Sequence, residues 1–248
     1  MNKNDVLVFS IALEGYSGLF GSCIKSQREY CDRSNFDYVL IDKAPRTLLP
    51  TETAWLKLFL LRSALRCDYK WIGFIDADCE VSIHAPSFVQ DLEKSSNGKS
   101  VFMAHGFSGR INSGVIFMKN SKEALEYLEK VIQNGDDPVS KEDKALYENG
   151  HMIHYGKNNP NIQIIESVEW NNNISLNKKS YIQHYSGGKL RMKYLEAHPA
   201  SKYKYLIMKK IRKMSRSFSS NKSMTSMNDI NSLLPFYHKA YPTFTGKK

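Results

Sequence analysis

No apolar run in this chain approaches the ~18 residues that a membrane-crossing helix needs, so no helical span is expected. Cysteine is scarce: the 248 residues hold four (Cys23, Cys31, Cys67, Cys79), none at the paired spacing of a metal finger or disulfide framework. They read as reduced thiols. The N-terminus, MNKNDVLVFSIALEG, has one early lysine, but Asp5 and Glu14 bracket its apolar run and no small-residue cleavage site follows. That run is expected to be a core strand and not a signal peptide, and a cytoplasmic compartment fits. The stretch EGYSGLFGS lacks the lysine of a phosphate-binding loop, and the chain shows no recognised nucleic-acid motif and no internal repeat.

What is present is an ordinary apolar share, 42%, in a length that allows one large domain or two small ones. Charge is unevenly spread. Between Lys189 and Lys222 stand eleven Lys and Arg against one acid, Glu196, which alone matches the whole chain's net +10. A near-neutral body with a basic attachment near the C-terminus is implied.

Along the chain, DVLVFSIAL (5–13) reads as a strand, residues 20–34 as a helix and FDYVLID (36–42) as a second strand. This opening favours an α/β fold whose central sheet is covered by helices on both faces. A helix capped at Thr51 or Thr53 runs through Leu65; strands follow at 71–75, 101–105, 110–119 and in IQII, with a Ser121-capped helix at SKEALEYLEKVIQNG. SKEDKALYENG reads as another cap, short helix and terminal glycine. Near the C-terminus, Tyr203, Ile207, Ile211, Met214 and Phe218 recur at helical spacing among Lys202, Lys204, Lys209, Lys210, Arg212, Lys213 and Arg216. This is a basic amphipathic helix suited to an anionic membrane surface through residues 200–218, and SRSFSSNKSMTSMND after it reads as a linker. Residues 1–193 are expected to form the catalytic domain and 194–248 a basic helical extension.

The informative stretch is KWIGFIDADCEV. Trp71, Ile72, Phe74 and Ile75 form a buried strand, and Asp76 and Asp78 follow one residue apart. Two such carboxylates can converge on one hard divalent cation, and without a cation their shared burial is costly. Otherwise one Asp caps the next element and the other is solvated. Position favours the ion, because ligands of open α/β sheets bind beyond the carboxyl ends of the strands. His184, in QHYSGGK, is a candidate third ligand, since imidazole suits Mn²⁺ better than Mg²⁺. Gly187, Gly188 and Lys189 offer backbone amides and a cation to phosphate. Asn112-Ser113-Gly114 reads equally as a β-turn, Glu142 and Asp143 as helix-dipole charges, and Trp55 and Trp170 as core or cleft-wall aromatics.

Taken in order, VLVFSIA, the strand ending Asp76-Ala77-Asp78, INSGVIFM and HYSGGK resemble, over about residues 5–193, the metal-dependent, nucleotide-sugar-using glycosyltransferases of GT-A (Rossmann-like) fold, in particular the retaining family 8 type. The resemblance implies that Asp76, Asp78 and His184 bind Mn²⁺ (or Mg²⁺), with Asp76 and Ala77 near the donor's ribose. Asn112 and Ser113 would lie beside the transferred sugar. KEDKAL would place Glu142 on sugar hydroxyls and Asp143 close to the anomeric carbon. Val8, Phe9 and Ser10, with Asp42, would contact the nucleotide, and Lys57 would supply a cation towards it. Lys189 lies five residues after His184, where the family's lysine usually lies six after, so Lys189 and Arg191 are competing phosphate partners.

The implied function is transfer of a hexose from a UDP-sugar to a glycan or lipid-linked saccharide in cell-surface polysaccharide synthesis, peripheral on the inner face of the membrane. Rival readings of the same features are a metal-dependent nucleotidyltransferase or phosphohydrolase, and a basic nucleic-acid-binding protein. Against the latter, the aromatics of the basic segment line its apolar face, so no nucleic-acid partner is expected.

Overall fold

The computed structural model describes residues 5–177, 179–207 and 226–246. Strands β1 (Val6–Ile11), β2 (Asp37–Ile41), β3 (Trp71–Ile75), β5 (Val101–His105), β6 (Ile111–Lys119) and β7 (Ile162–Ile165) form one sheet in the order β2-β1-β3-β6-β5-β7. β1 pairs in parallel with β2 and β3, and β5 with β7; β6 runs antiparallel between β3 and β5. A second, two-stranded ladder joins β4 (Cys79–Val81) antiparallel to β8 (Ile182–His184).

The central strands are apolar on both faces, and alternation along each strand divides their side chains between two cores. Leu7, Phe9, Ile72, Phe74, Met103, Ile116 and Met118 enter one core. It is closed by α3 (Pro50–Leu65), α5 (Lys122–Gln133) and α6 (Asn149–Gly156). Val6, Val8, Trp71, Ile75, Phe102, Val115 and Phe117 enter the other. There α2 (Gly21–Ser34, after the short α1, Tyr16–Leu19), α4 (Phe88–Ser95) and the end of α7 (Ser167–Trp170) cover them. All four cysteines are buried and free, and Trp55 and Trp170 are core residues.

Three local expectations are corrected. α3 begins at Pro50, with neither threonine as its cap: Glu52 Oε2 accepts the Leu49 N–H at 2.6 Å, and Arg46 grips the same carboxylate at 2.7 and 2.9 Å. Residues 140–147 are not helical. Arg110 takes the carbonyls of Glu142 and Lys144 that a helix would use, and Tyr147 has a φ of 56°, so the helix starts only at Asn149. Residues 226–229, expected as linker, open α10 (Met227–Asn231), where Ser226 and Asp229 cap each other.

The C-terminal part does not stand apart from the body. α8 (Gly188–Ala197) runs through the expected 193/194 boundary, and residues 199–207 are helical (α9). Met227, Ile230, Leu233, Leu234, Tyr237 and Phe244, from α10, α11 (Leu234–Ala240) and the turn beyond, are buried in the first core, with Phe244 edge-on to Phe9. Residues 208–225, which carry Ile211, Met214 and Phe218, lie outside the described residues.

Candidate active site

β3 ends at Ile75 and its chain turns through Asp76-Ala77-Asp78 into β4, the Cys79 N–H bonding back to the Asp76 carbonyl at 3.0 Å. In the β4–β8 ladder Cys79 lies opposite His184, and the Tyr185 N–H bonds the Asp78 carbonyl at 2.9 Å. This short ladder brings a histidine from far along the chain to the carboxylates. His184 Nε2 lies 3.3 Å from Asp78 Oδ1 and 3.8 Å from Asp76 Oδ2. Asp76 is the most open of the three, with its side chain 36% exposed against 8% for Asp78 and 3% for His184.

Close approach here depends on Gly114, which accepts the Asp76 N–H at 2.8 Å. A Cβ on residue 114 would stand 2.2 Å from His184 Cε1 and 2.9 Å from Asp76 Oδ2. Glycine is therefore required by space. Gly187 and Gly188, with φ of 141° and 53°, take the backbone into a region that favours glycine as it enters α8. Arg191, one turn into that helix, bonds Asp78 Oδ2 at 2.5 Å and the Tyr185 carbonyl at 3.1 Å. Lys189 is exposed beside it. Both line a cavity of about 640 Å³ with Gly187, Gly188, Lys193 and Tyr205.

The electrostatics separate the two carboxylates. Loss of water pushes the Asp76 carboxyl up to about 6, against the pull of Lys57 and with Asp78 adding to the rise. Burial alone would raise Asp78 too, but His184 and Arg191 hold its carboxyl well below the usual range. Lys57 is buried, which by itself lowers an amine, yet Glu148 and then Asp76 raise it above its ordinary value.

Lys57 Nζ bonds the Ser113 carbonyl at 3.0 Å and its Oγ at 3.2 Å, and pairs with Glu148 at 2.5 Å. Ser113 Oγ donates to Glu148 at 2.6 Å, and the Ser113 N–H donates to Asn149 Oδ1 at 2.9 Å. Asn112 and Ser113 sit within β6 and are not a turn. Lys57 thus reaches Ser113 and Glu148 at the floor of the site. Sequence reasoning passed over Glu148 and Asn149; the signal available was their place at the start of α6, where side chains commonly satisfy backbone groups of neighbouring elements.

Several expected residues stand elsewhere. Val8, Phe9 and Ser10 are fully buried within the sheet, Ser10 Oγ bonding the Ile75 carbonyl at 2.6 Å, so they support the site from beneath without lining it. Ala77 is buried against Ala12 and Ile24. The Asp42 carboxylate and N–H both bond the Tyr241 hydroxyl at 3.0 Å. Glu142 is exposed. Asp143 Oδ2 receives Ser140 at 2.8 Å, His154 at 2.6 Å and Lys157 at 2.7 Å; chiefly through Lys157, its carboxyl is drawn down to about 2.

A divalent cation fits this donor set. The imidazole Nε2 lies 3.3 Å from an oxygen of Asp78 and 3.8 Å from one of Asp76, and carboxylate and imidazole are donors that a divalent cation accepts. Among the described residues, the three whose atoms all lie within 4.8 Å of one another are Asp78, Cys79 and His184, and Asp76 stands outside that set. Burial raises the Cys79 thiol above its ordinary value, and its side chain packs in the second core. Asp76 Oδ2, 3.8 Å from His184 Nε2, stands at the open edge of this set.

No sequence-family model matches the chain, and no curated protein matches it in sequence. Solved structures match it in shape. One is a glycosyltransferase involved in the glycosylation of the major capsid of PBCV-1, with a TM-score of 0.60 and 16% identity over 77% of this chain and 98% of that one. Another is the glycosyltransferase GlyE of Streptococcus pneumoniae TIGR4, with a TM-score of 0.52 and 14% identity over 96% of this chain. This chain spans 64% of GlyE's length. The fold is one that known glycosyltransferases share. The α/β architecture expected from the sequence, a mixed sheet covered on both faces, is the one the chain adopts.

Proposed function

We propose that this protein is a glycosyltransferase that moves a hexose from a UDP-sugar to a glycan or lipid-linked saccharide acceptor. The observation that carries the reading is the convergence of Asp76, Asp78 and His184 where β3 leaves the sheet, in a fold that glycosyltransferases share. Those three residues would hold Mn²⁺, which when bound supplies positive charge against the departing diphosphate. Arg191, with Lys189 on the open side of the same cavity, adds cationic charge at the start of α8, where backbone amides also favour phosphate. Lys57, Ser113 and Glu148 form a pre-ordered floor beneath the sugar, each already held by the other two. Asp143, saturated by Lys157, His154 and Ser140, holds residues 140–147 beside the site and touches no reacting atom in this reading. Retention of configuration follows from the family 8 resemblance.

The acceptor side is supported by exposed apolar side chains on three loops linked by hydrogen bonds. Phe107, Leu146 and Ile174 are 79%, 77% and 56% exposed; the Phe107 N–H donates to Asn173 Oδ1, and Arg110 donates to the Glu142 and Lys144 carbonyls of the loop that carries Leu146. On α9, Tyr203, Leu206 and Ile207 point outward while Lys204 bonds the Gly18 carbonyl and Tyr205 packs inward. An exposed apolar stripe at the head of the basic stretch supports docking on an anionic inner membrane leaflet, where a lipid-linked surface glycan would be extended. Among the described residues, no helix is long and apolar enough to cross a membrane.

The test is UDP release from UDP-hexoses with Mn²⁺, with and without saccharide acceptors. Acceptor-dependent release with a glycosylated product is expected. Release that ignores every acceptor would mean a hydrolase, and transfer of the nucleotidyl group a nucleotidyltransferase. Sedimentation with anionic vesicles, lost in a Tyr203→Glu, Ile207→Glu double variant, tests the membrane reading.

A further inference from the structure

Asn171 is fully buried, and so is bound to satisfy its amide with protein partners. Its Nδ2 donates to the Asn112 backbone carbonyl at 3.3 Å and to Asn112 Oδ1 at 2.9 Å, while its Oδ1 lies 2.8 Å from His184 Nδ1. Asn112 Oδ1 itself accepts the Gly114 N–H at 3.0 Å. The direction of this chain is set by the backbone and not by choice. A carbonyl can only accept and an amide N–H can only donate, so Asn171 must turn its NH₂ to Asn112 and its oxygen to the imidazole. His184 Nδ1 must then carry a hydrogen. Nε2 is the nitrogen left to face Asp76 and Asp78.

We propose that Asn171 is a positioning residue that commits His184 to its Nδ1–H form and aims Nε2 at the cation site. The β6 backbone at Asn112 and Gly114 acts as the fixed end of the relay. Gly114 therefore serves twice: it leaves room for the imidazole, and it anchors the chain of bonds that orients it. Outer-shell partners of metal-binding histidines commonly act in this way. The inference rests on the metal reading given above, and goes beyond it in assigning how the ligand is prepared before any ion arrives.

The experiment uses the full-length protein and Mn²⁺ alone. Long-range ¹⁵N–¹H spectra of the metal-free wild type, at a pH where the ring holds one proton, are expected to show the Nδ1–H form of His184. Asn171→Ala is expected to lose that preference and to weaken Mn²⁺ binding, read from the EPR signal of free ion, about 10–100-fold. Asn171→Asp keeps an acceptor for Nδ1–H and is expected to recover most of the affinity. An Nε2–H form in the metal-free wild type would overturn the proposal, whether or not the Ala variant folds. Equal loss in the Ala and Asp variants, or none in either, would overturn it as well. A wild type that binds no Mn²⁺ sinks the metal reading instead, and the tautomer then decides this inference alone.

Discussion

At Asp143, three donors converge on one carboxylate oxygen; at Asp76 and Asp78, two carboxylates converge on one imidazole nitrogen. Both places pair a histidine with an aspartate in a largely enclosed setting. The difference lies first in desolvation and then in the balance of charge. Asp143 has Lys157 to itself, with His154 and Ser140 completing its shell, and its carboxyl is drawn down to about 2. Around Asp76 and Asp78, three carboxylates including Glu148 share two permanent cations, Lys57 and Arg191, and loss of water, with Asp78 adding to it, keeps the Asp76 carboxyl up at about 6. A matched cluster fastens a loop. An unmatched one, tilted towards negative charge and open at Asp76, has the charge that the proposed cation would balance.

Four measurements can break or sharpen that contrast. The largest effect is expected from Asp78→Asn, which removes a proposed ligand and leaves Arg191 without its partner: sugar transfer should fall ~10²–10³-fold in a steady-state assay. Full activity in that variant would make the two clusters equivalent and end the metal reading. Next comes Gly114→Ala, whose methyl group must displace His184; Mn²⁺ affinity by titration calorimetry should drop about 10–100-fold. The matched cluster should answer differently. Asp143→Asn is expected to cost about 1–3 kcal/mol of stability in urea unfolding, because three donors lose a charged acceptor, while Mn²⁺ affinity stays within a few-fold. A ten-fold loss of Mn²⁺ affinity there would join the two clusters into one site.

The smallest effect is in pH. With a folded-state value near 2, the Asp143 carboxyl contributes stability that is fully present above its unfolded value of about 3.9. That contribution is lost as pH falls through about 2. The gap in urea midpoint between wild type and Asp143→Asn should therefore close between pH 4 and 2. A gap that persists at pH 2 would show that packing, and not charge, holds the loop.

The main strands were legible because their centres are apolar runs: β1 is interrupted by Ser10 alone, β3 holds no polar side chain, and β6 is apolar from Val115 to Met118, so none needs alternation to be recognised when both faces are covered. The carboxylate pair was legible for the same reason, since two charges at the end of such a run have few cheap explanations. β4 and β8 were not found as a ladder. Three residues each are too few to carry a period, and only their pairing gives them identity. Asn171, Asn172 and Asn173 read as loop composition, yet each has a separate task. Asn171 holds His184; Asn172 accepts the His184 N–H and, through Oδ1, the N–H groups of Ile174 and Ser175; Asn173 accepts the Phe107 N–H. A side-chain amide bonds whatever the fold places beside it, so its task has no sequence signature.

Sequence alone determined the layered α/β body, the two aspartates at a strand's end and the basic stretch after residue 188, because burial and charge are properties of residues counted in order. Tertiary structure alone decided which histidine nitrogen meets those aspartates, that Asp143 is already neutralised, and that residues 227–244 belong to the main core. These depend on contacts between distant parts of the chain, whose few ångströms of separation are fixed only when the sheet and its covering helices pack together.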